Sequence, residues 1–325
     1  MDLPTIDQAD SVIGLTRTAF ARTGGLDELQ ERLVDDLGFL IAGETFTGGS
    51  VLDSKAITQT TLDERERAMR LCVVLEMMEH PLDPEVAVSV QEFFAGLGIE
   101  DRLLEDARFL ADRHFETLAA DLDRHGWYRE QTIEGRHHGK LIELLRSRLA
   151  ERGVVADPAL ARRWRALGEC PDGSWGRGVY DFYLEHGFPF PGERHGIYEL
   201  GARHDWVHVL TDYGTDGEGE LDVFAFIAAT MPGEAGLSLL AVTLGIFQND
   251  ALKKVRGKVI RNAKADTIDS DAAVDRWAVA FWRGTQCNTD IMADVDLFAM
   301  AETPVDEARR IFNIVRTEDL PQFGG

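Results

Sequence analysis

The sequence predicts an all-α protein, and three observations carry that prediction. Apolar residues recur at three- and four-residue spacing through most of the 325 residues, while the alternation that marks strands is scarce. Helix-start signals are well formed: in Thr61-Leu62-Asp63-Glu64 a threonine cap precedes acids in the first turn, where they meet the positive end of the helix dipole. Finally, His204-Asp205-Trp206-Val207-His208 places two histidines one turn apart, on the continuation of an apolar face begun by Ile197 and Leu200.

Taken in order, Leu15 to about Arg124 reads as mostly helical. The Thr61 cap leads into Arg67–Met78, Pro81-Leu82-Asp83-Pro84-Glu85 interrupts, and a second helix follows through Phe93 and Phe94. Leu103–Leu122 reads as one further amphipathic helix. Residues 126–158 are more polar and read as a connection with one helix at Leu141–Leu149; Arg136-His137-His138-Gly139-Lys140 within it reads as solvated surface. Beyond Ala159, the turn-rich stretch Pro171 to Gly178 leads to a helix over Val179–Glu185, ended by Gly187 and Phe188-Pro189-Phe190-Pro191. The histidine helix, a helix headed by Glu220, an apolar helix at Leu237–Phe247 and two or three more complete the chain. The expected organisation is a smaller helical domain over 1–125, a connecting segment over 126–158 and a second helical domain over 159–325.

Composition excludes several classes. A net charge of -23 repels nucleic acid phosphates and gains nothing from an anionic membrane at long range. Cys72, Cys170 and Cys287 are scattered and odd in number, as expected of small buried hydrophobes in a reducing compartment. The N-terminus has no basic and apolar export pattern, and Ala235–Phe247 is too short to span a bilayer, so a cytoplasmic protein is expected. There is no G-x-S-x-G elbow, P-loop or H-E-x-x-H motif. Gly214-Thr215-Asp216-Gly217-Glu218-Gly219-Glu220 carries three acids that would repel phosphate, so no nucleotide cofactor is expected.

What remains is a set of metal-capable side chains. Asp205 follows His204 by about 100° around the same helix, so His204, Asp205 and His208 share a narrow arc. Glu220 follows His208 with eleven residues between them, on a face with Phe224 and Ile227. A buried carboxylate is costly without a partner, and a metal or a charged histidine is the usual remedy. His204, Asp205, His208 and Glu220 are therefore the candidate catalytic metal ligands, for a divalent ion such as zinc or iron. Trp206, Tyr213 and Phe224 are candidate walls of an apolar pocket. Lys253, Lys254, Arg256, Lys258, Arg261 and Lys264 form either the outer face of an ordinary helix or a docking surface for lipid headgroups or an acidic partner.

The segments Arg203-His204-Asp205-Trp206-Val207-His208-Val209-Leu210-Thr211, Tyr213-Gly214-Thr215-Asp216 and Gly219-Glu220 resemble the signature of the Coq-four family of ubiquinone biosynthesis proteins. Trp175-Gly176-Arg177 and Tyr180-Asp181-Phe182 are also similar to that family, and the likeness covers about residues 160–315. It implies an all-helical, Coq-four-like metal-binding domain associated with a membrane, holding a divalent ion near a channel for a polyprenylated quinone precursor. The implied activity is removal of a ring carboxyl group, coupled to hydroxylation at that carbon, alongside a part in organising other biosynthetic enzymes. The expected partners are thus a prenylated or other hydrophobic small molecule, those enzymes and the inner face of the plasma membrane; homodimerisation is left open. Asp212 stands where the family usually has glycine. Two other readings remain: a non-catalytic lipid-binding scaffold, and an HD-type phosphohydrolase using the His204-Asp205 pair with His186 or His195. Around Glu79-His80-Pro81-Leu82-Asp83 the N-terminal half resembles TerB-like helical modules, which implies no site here.

Overall fold

Side-chain caps set where most helices begin. In the computed structural model, which describes residues 3–118, 121, 146–147, 149–231, 234–249 and 266–320, the N-terminal helices are α1 (Ile6–Phe20), α2 (Glu28–Ala42), α3 (Ser54–Gln59), α4 (Leu62–Met78), α5 (Pro84–Gly96) and α6 (Arg102–Ala111). They are followed by α7 (Pro158–Arg165), α8 (Trp175–His186), α9 (Glu199–Thr211), α10 (Gly217–Thr230), α11 (Glu234–Phe247), α12 (Asp271–Gln286), α13 (Ile291–Asp294) and α14 (Val305–Ile311). Among the described residues there is no strand, only one isolated bridge between Ser174 and Pro304. The protein is all-α. No described helix is long and apolar enough to cross a membrane.

The Thr61 cap forms as expected: its hydroxyl accepts from the Glu64 amide at 3.2 Å while the Glu64 carboxylate accepts from the Thr61 amide at 2.7 Å. Asp83 and Asp157 cap helices whose first residue is proline, which has no amide to leave unpaired. Two boundaries differ from the sequence expectation. The helix expected over Leu103–Leu122 stops at Ala111, where Arg113 turns left-handed (φ 59°) and the His114 amide donates back to Phe109 O; a short helical stretch resumes at 115–118. In the other direction, α8 starts at Trp175 rather than Val179, because Ser174 caps it and the glycines expected to make a turn lie inside its first turn. The basic run Lys253–Lys264 and the pair His137-His138 lie outside the described residues, as does most of the helix expected at Leu141–Leu149.

Contacts group the chain into two compact units, Met1–Trp127 with Asp216–Thr285 and Leu320–Gly325, and Tyr128–Thr215 with Gln286–Asp319. Residues 216–285 thus belong with the N-terminal helices. In this first unit α4 packs on α1 and α11, and α11 packs on α10 and α6. The segment after α11 completes α4: the Gln248 and Asn249 side-chain amides donate to Met78 O and Met77 O, both at 2.8 Å, satisfying carbonyls that a helix end leaves open. Arg32 of α2 holds α12 through Asp275 and, at 3.0 Å, Asp271.

Glu76 lies in the last turn of α4, fully buried, and neither carboxylate oxygen has a hydrogen-bond partner. Burial, with a smaller contribution from the Glu79 charge, pushes its pKa well above the ordinary carboxylate range. In the unfolded chain a glutamate titrates near pH ~4.3. Between that value and the raised folded one the native state holds a proton that the unfolded state has lost, so stability falls as pH rises. Glu76→Met should remove one proton's worth of this decline, about 1.4 kcal/mol per pH unit, and should stabilise the protein most at the alkaline end. Urea midpoints for both proteins at several pH values between 5 and 8 measure it; parallel pH profiles would contradict the assignment.

Candidate metal centre

The second unit is organised around α9, which is buried on nearly every side: Leu200, Ala202, Trp206, Val207 and Leu210 are buried, and so are His204, Asp205 and His208. Its hold on the surrounding chain is polar as well as apolar. The Arg203 guanidinium donates to Met292 O (2.7 Å), Val295 O (2.8 Å) and Ile291 O (3.2 Å). At the other end Arg309 donates to Leu210 O at 2.8 Å and to the Asp212 carboxylate at 2.6 Å, serving the C-terminal carbonyls as a cation should. Asp212 itself is left-handed (φ 61°) and closes the helix, which explains how an aspartate serves where glycine is the usual choice.

Helix α8 lies against this element at close range. A Cβ on Gly178 would come within 2.8 Å of Val209 Cγ1, and one on Gly176 within 2.9 Å of the Ala301 carbonyl oxygen. These glycines are therefore needed for close approach rather than for turning. The Trp175 indole donates to Trp206 O at 2.8 Å, and Trp206 packs edge-on against Trp164, Trp175 and Phe298. Trp206 is thus fully buried within an aromatic cluster.

On the remaining face His204, Asp205 and His208 each offer a ligand atom, all within 4.8 Å of one another. The two imidazoles cross at 67° with centroids 5.3 Å apart. Both rings are anchored through Nδ1, His204 to Gly201 O at 2.6 Å and His208 to Tyr213 O at 3.0 Å. A carbonyl oxygen only accepts, so Nδ1 carries the proton in each ring, and a neutral imidazole then keeps its lone pair on Nε2. His204 Nε2 lies 3.3 Å from Asp205 Oδ1. A lone pair facing a carboxylate oxygen in a buried site is repulsive, so this contact calls for a cation: a proton on the ring or a metal ion. The Tyr183 hydroxyl donates a short hydrogen bond to Asp205 Oδ2. Burial, reinforced by the Asp205 charge and this bond, raises the phenol pKa well above its ordinary value, so it stays a donor. Phe182 stacks on His208 at 5.5 Å and 23°, covering one face of the ring.

The other sequence candidates are placed as follows. Tyr213 contributes its carbonyl to the His208 anchor. Glu220 sits in the first turn of α10, behind the Asp216 cap, in the first unit, with Phe224 one turn on. His186 and His195 are not among the clustered ligands; His186 is exposed and stacks on Phe188. Tyr183 and Phe182 were not singled out as part of the site, because the sequence places them on a separate helix, and only the i, i+1 pair of aromatics on the element preceding the motif hints at them.

The α9 C-terminus yields a paired prediction. Asp212→Gly relieves the left-handed backbone and loses only a pair with an exposed carboxylate, so stability should change by less than about 0.5 kcal/mol. Arg309→Met strips two backbone carbonyls of a charged donor and should cost about 2 kcal/mol. Chemical denaturation of both variants tests the contrast, and equal effects would refute the capping role. No protein-family model and no curated protein matches this chain.

Proposed function

We propose that this protein binds a divalent metal ion through His204, Asp205 and His208 and uses it to decarboxylate a prenylated or otherwise hydrophobic aromatic acid. The observation that carries the metal reading is the buried cluster itself: His204, Asp205 and His208 each offer a ligand atom within 4.8 Å of the others, and both imidazoles are anchored through Nδ1. Two imidazoles and a carboxylate suit zinc or iron equally. When bound, such an ion supplies a Lewis acid that stabilises the negative charge left as CO2 departs. The chain's own residues do the rest. Gly201 and Tyr213 carbonyls fix the imidazole tautomers, Tyr183 orients Asp205, and the Phe182 ring keeps water from one side of His208. The substrate class is supported by the H-D-x-x-H pattern followed by Glu220, through its likeness to the ubiquinone biosynthesis family. The phosphohydrolase reading draws no support from His186 or His195.

Metal analysis of the purified wild type should give close to one equivalent of zinc or iron. His208→Ala should lose it while helix content by circular dichroism is unchanged. A fully metallated His208→Ala protein, or a wild type that stays metal-free after anaerobic reconstitution, would sink the assignment. Release of CO2 from a prenylated aromatic acid by the loaded wild type tests the reaction; bound isoprenoid lipid without turnover would favour the scaffold instead.

A further inference from the structure

Resting on the metal reading, we infer that Tyr183 is the positioning residue of the centre: its hydroxyl occupies Asp205 Oδ2, so that Asp205 ligates through Oδ1 alone. Three observations support this. First, the hydroxyl donates to Oδ2, whereas the oxygen beside His204 Nε2 is Oδ1, so the two oxygens already have separate tasks. Second, the phenol cannot swing away. Tyr183 is buried, its ring is stacked face to face on Phe190 at 5.0 Å and 12°, and Trp164 lies against it at 5.6 Å. Third, its helix has no slack relative to the ligand helix, because Gly178 meets Val209 at a distance that leaves no room for a methyl group.

The consequence concerns coordination number. A carboxylate with both oxygens available takes one or two positions on a divalent ion, and hydrogen-bonding partners behind the ligands decide which. A donor fixed on Oδ2 holds Asp205 to one position. That leaves room at the ion for a substrate oxygen, a requirement of a catalytic rather than a closed structural site.

Cobalt(II) is the probe, since it follows zinc into such sites and its visible absorption reports coordination number. Tyr183→Phe keeps the ring and both stacks and removes only the hydroxyl. It should weaken cobalt binding by roughly 10–100-fold and lower the visible absorption intensity, as Oδ2 joins the ion and coordination number rises. Phe190→Leu, which disturbs the packing and spares the hydroxyl, should leave the spectrum unchanged. Wild-type affinity and spectrum in Tyr183→Phe would overturn the inference, as would a Phe190→Leu spectrum that shifts the same way. Zinc-edge X-ray absorption on the wild type needs no variant to fold: a single carboxylate oxygen is expected, and a bidentate carboxylate overturns the proposal. Failure of the wild type to bind cobalt at all would count against the metal reading itself.

Discussion

The second unit depends on burying a helix that carries three ionisable side chains. Helix α9 has almost no solvent-facing side, so amphipathicity cannot dispose of its polar groups. Each must find a partner within the fold, and the surrounding elements are placed as if to provide them. Arg203 and Arg309 tie its two ends to backbone carbonyls, the loop carbonyl of Tyr213 takes His208, and α8 brings a hydroxyl to Asp205. A helix buried for apolar packing alone would be better served by leucine at all three positions, since a buried ion pair often contributes less than hydrophobic side chains of similar volume. Apolar packing therefore does not account for two imidazoles and a carboxylate in one arc.

The close approach of α8 follows from the same constraint. A side chain at Gly178 would hold the two helices apart, and Tyr183 could no longer reach Asp205; one at Gly176 would meet Ala301. Glycine inside a helix costs roughly 1 kcal/mol against alanine, a penalty accepted here twice within four residues. The indole of Trp175 then donates to a carbonyl of α9, and a cluster of Trp164, Trp175, Trp206 and Phe298 fills the far side. Helix α8 thus contributes to both the apolar and the polar surroundings of α9.

This division also explains what was legible in the sequence. The Thr61 cap and the four-residue spacing of the histidines are local signals, and local signals survive into the structure. The same logic misjudged α8, because glycine at a turn and glycine at a helix contact look alike until the neighbour is known. It also missed the break at Arg113, where no glycine or proline marks the left-handed residue. The grouping of 216–285 with the N-terminal helices was out of reach for a different reason. Periodicity identifies an apolar face but not the face it packs against, and α11 meets α4 across some 160 residues of chain. Tyr183 was hidden in the same way: a tyrosine in an aromatic run declares itself as core, and only the placement of Asp205 gives its hydroxyl a task.

A buried carboxyl is not by itself a sign of chemistry, and this chain shows why. Glu76 is buried with no partner at all, and its environment simply keeps it protonated. Asp222 is nearly as deeply buried, but Arg276 lies 2.6 Å away and opposes the effect of burial, leaving a pKa of about 7. Asp106 is driven to about 8 by burial and the neighbouring Asp121 charge. In each case desolvation is offset by a proton, or by an arginine that closes off the group. Asp205 differs in its company. Its Oδ2 accepts from a phenol held in place by an aromatic stack, and its Oδ1 faces an imidazole whose other nitrogen is already committed to a carbonyl. A second anchored imidazole lies within ligand distance. Such an arrangement holds three potential ligand atoms within 4.8 Å of one another by fixed hydrogen bonds, a grouping that suits a cation and that the lone Glu76 lacks.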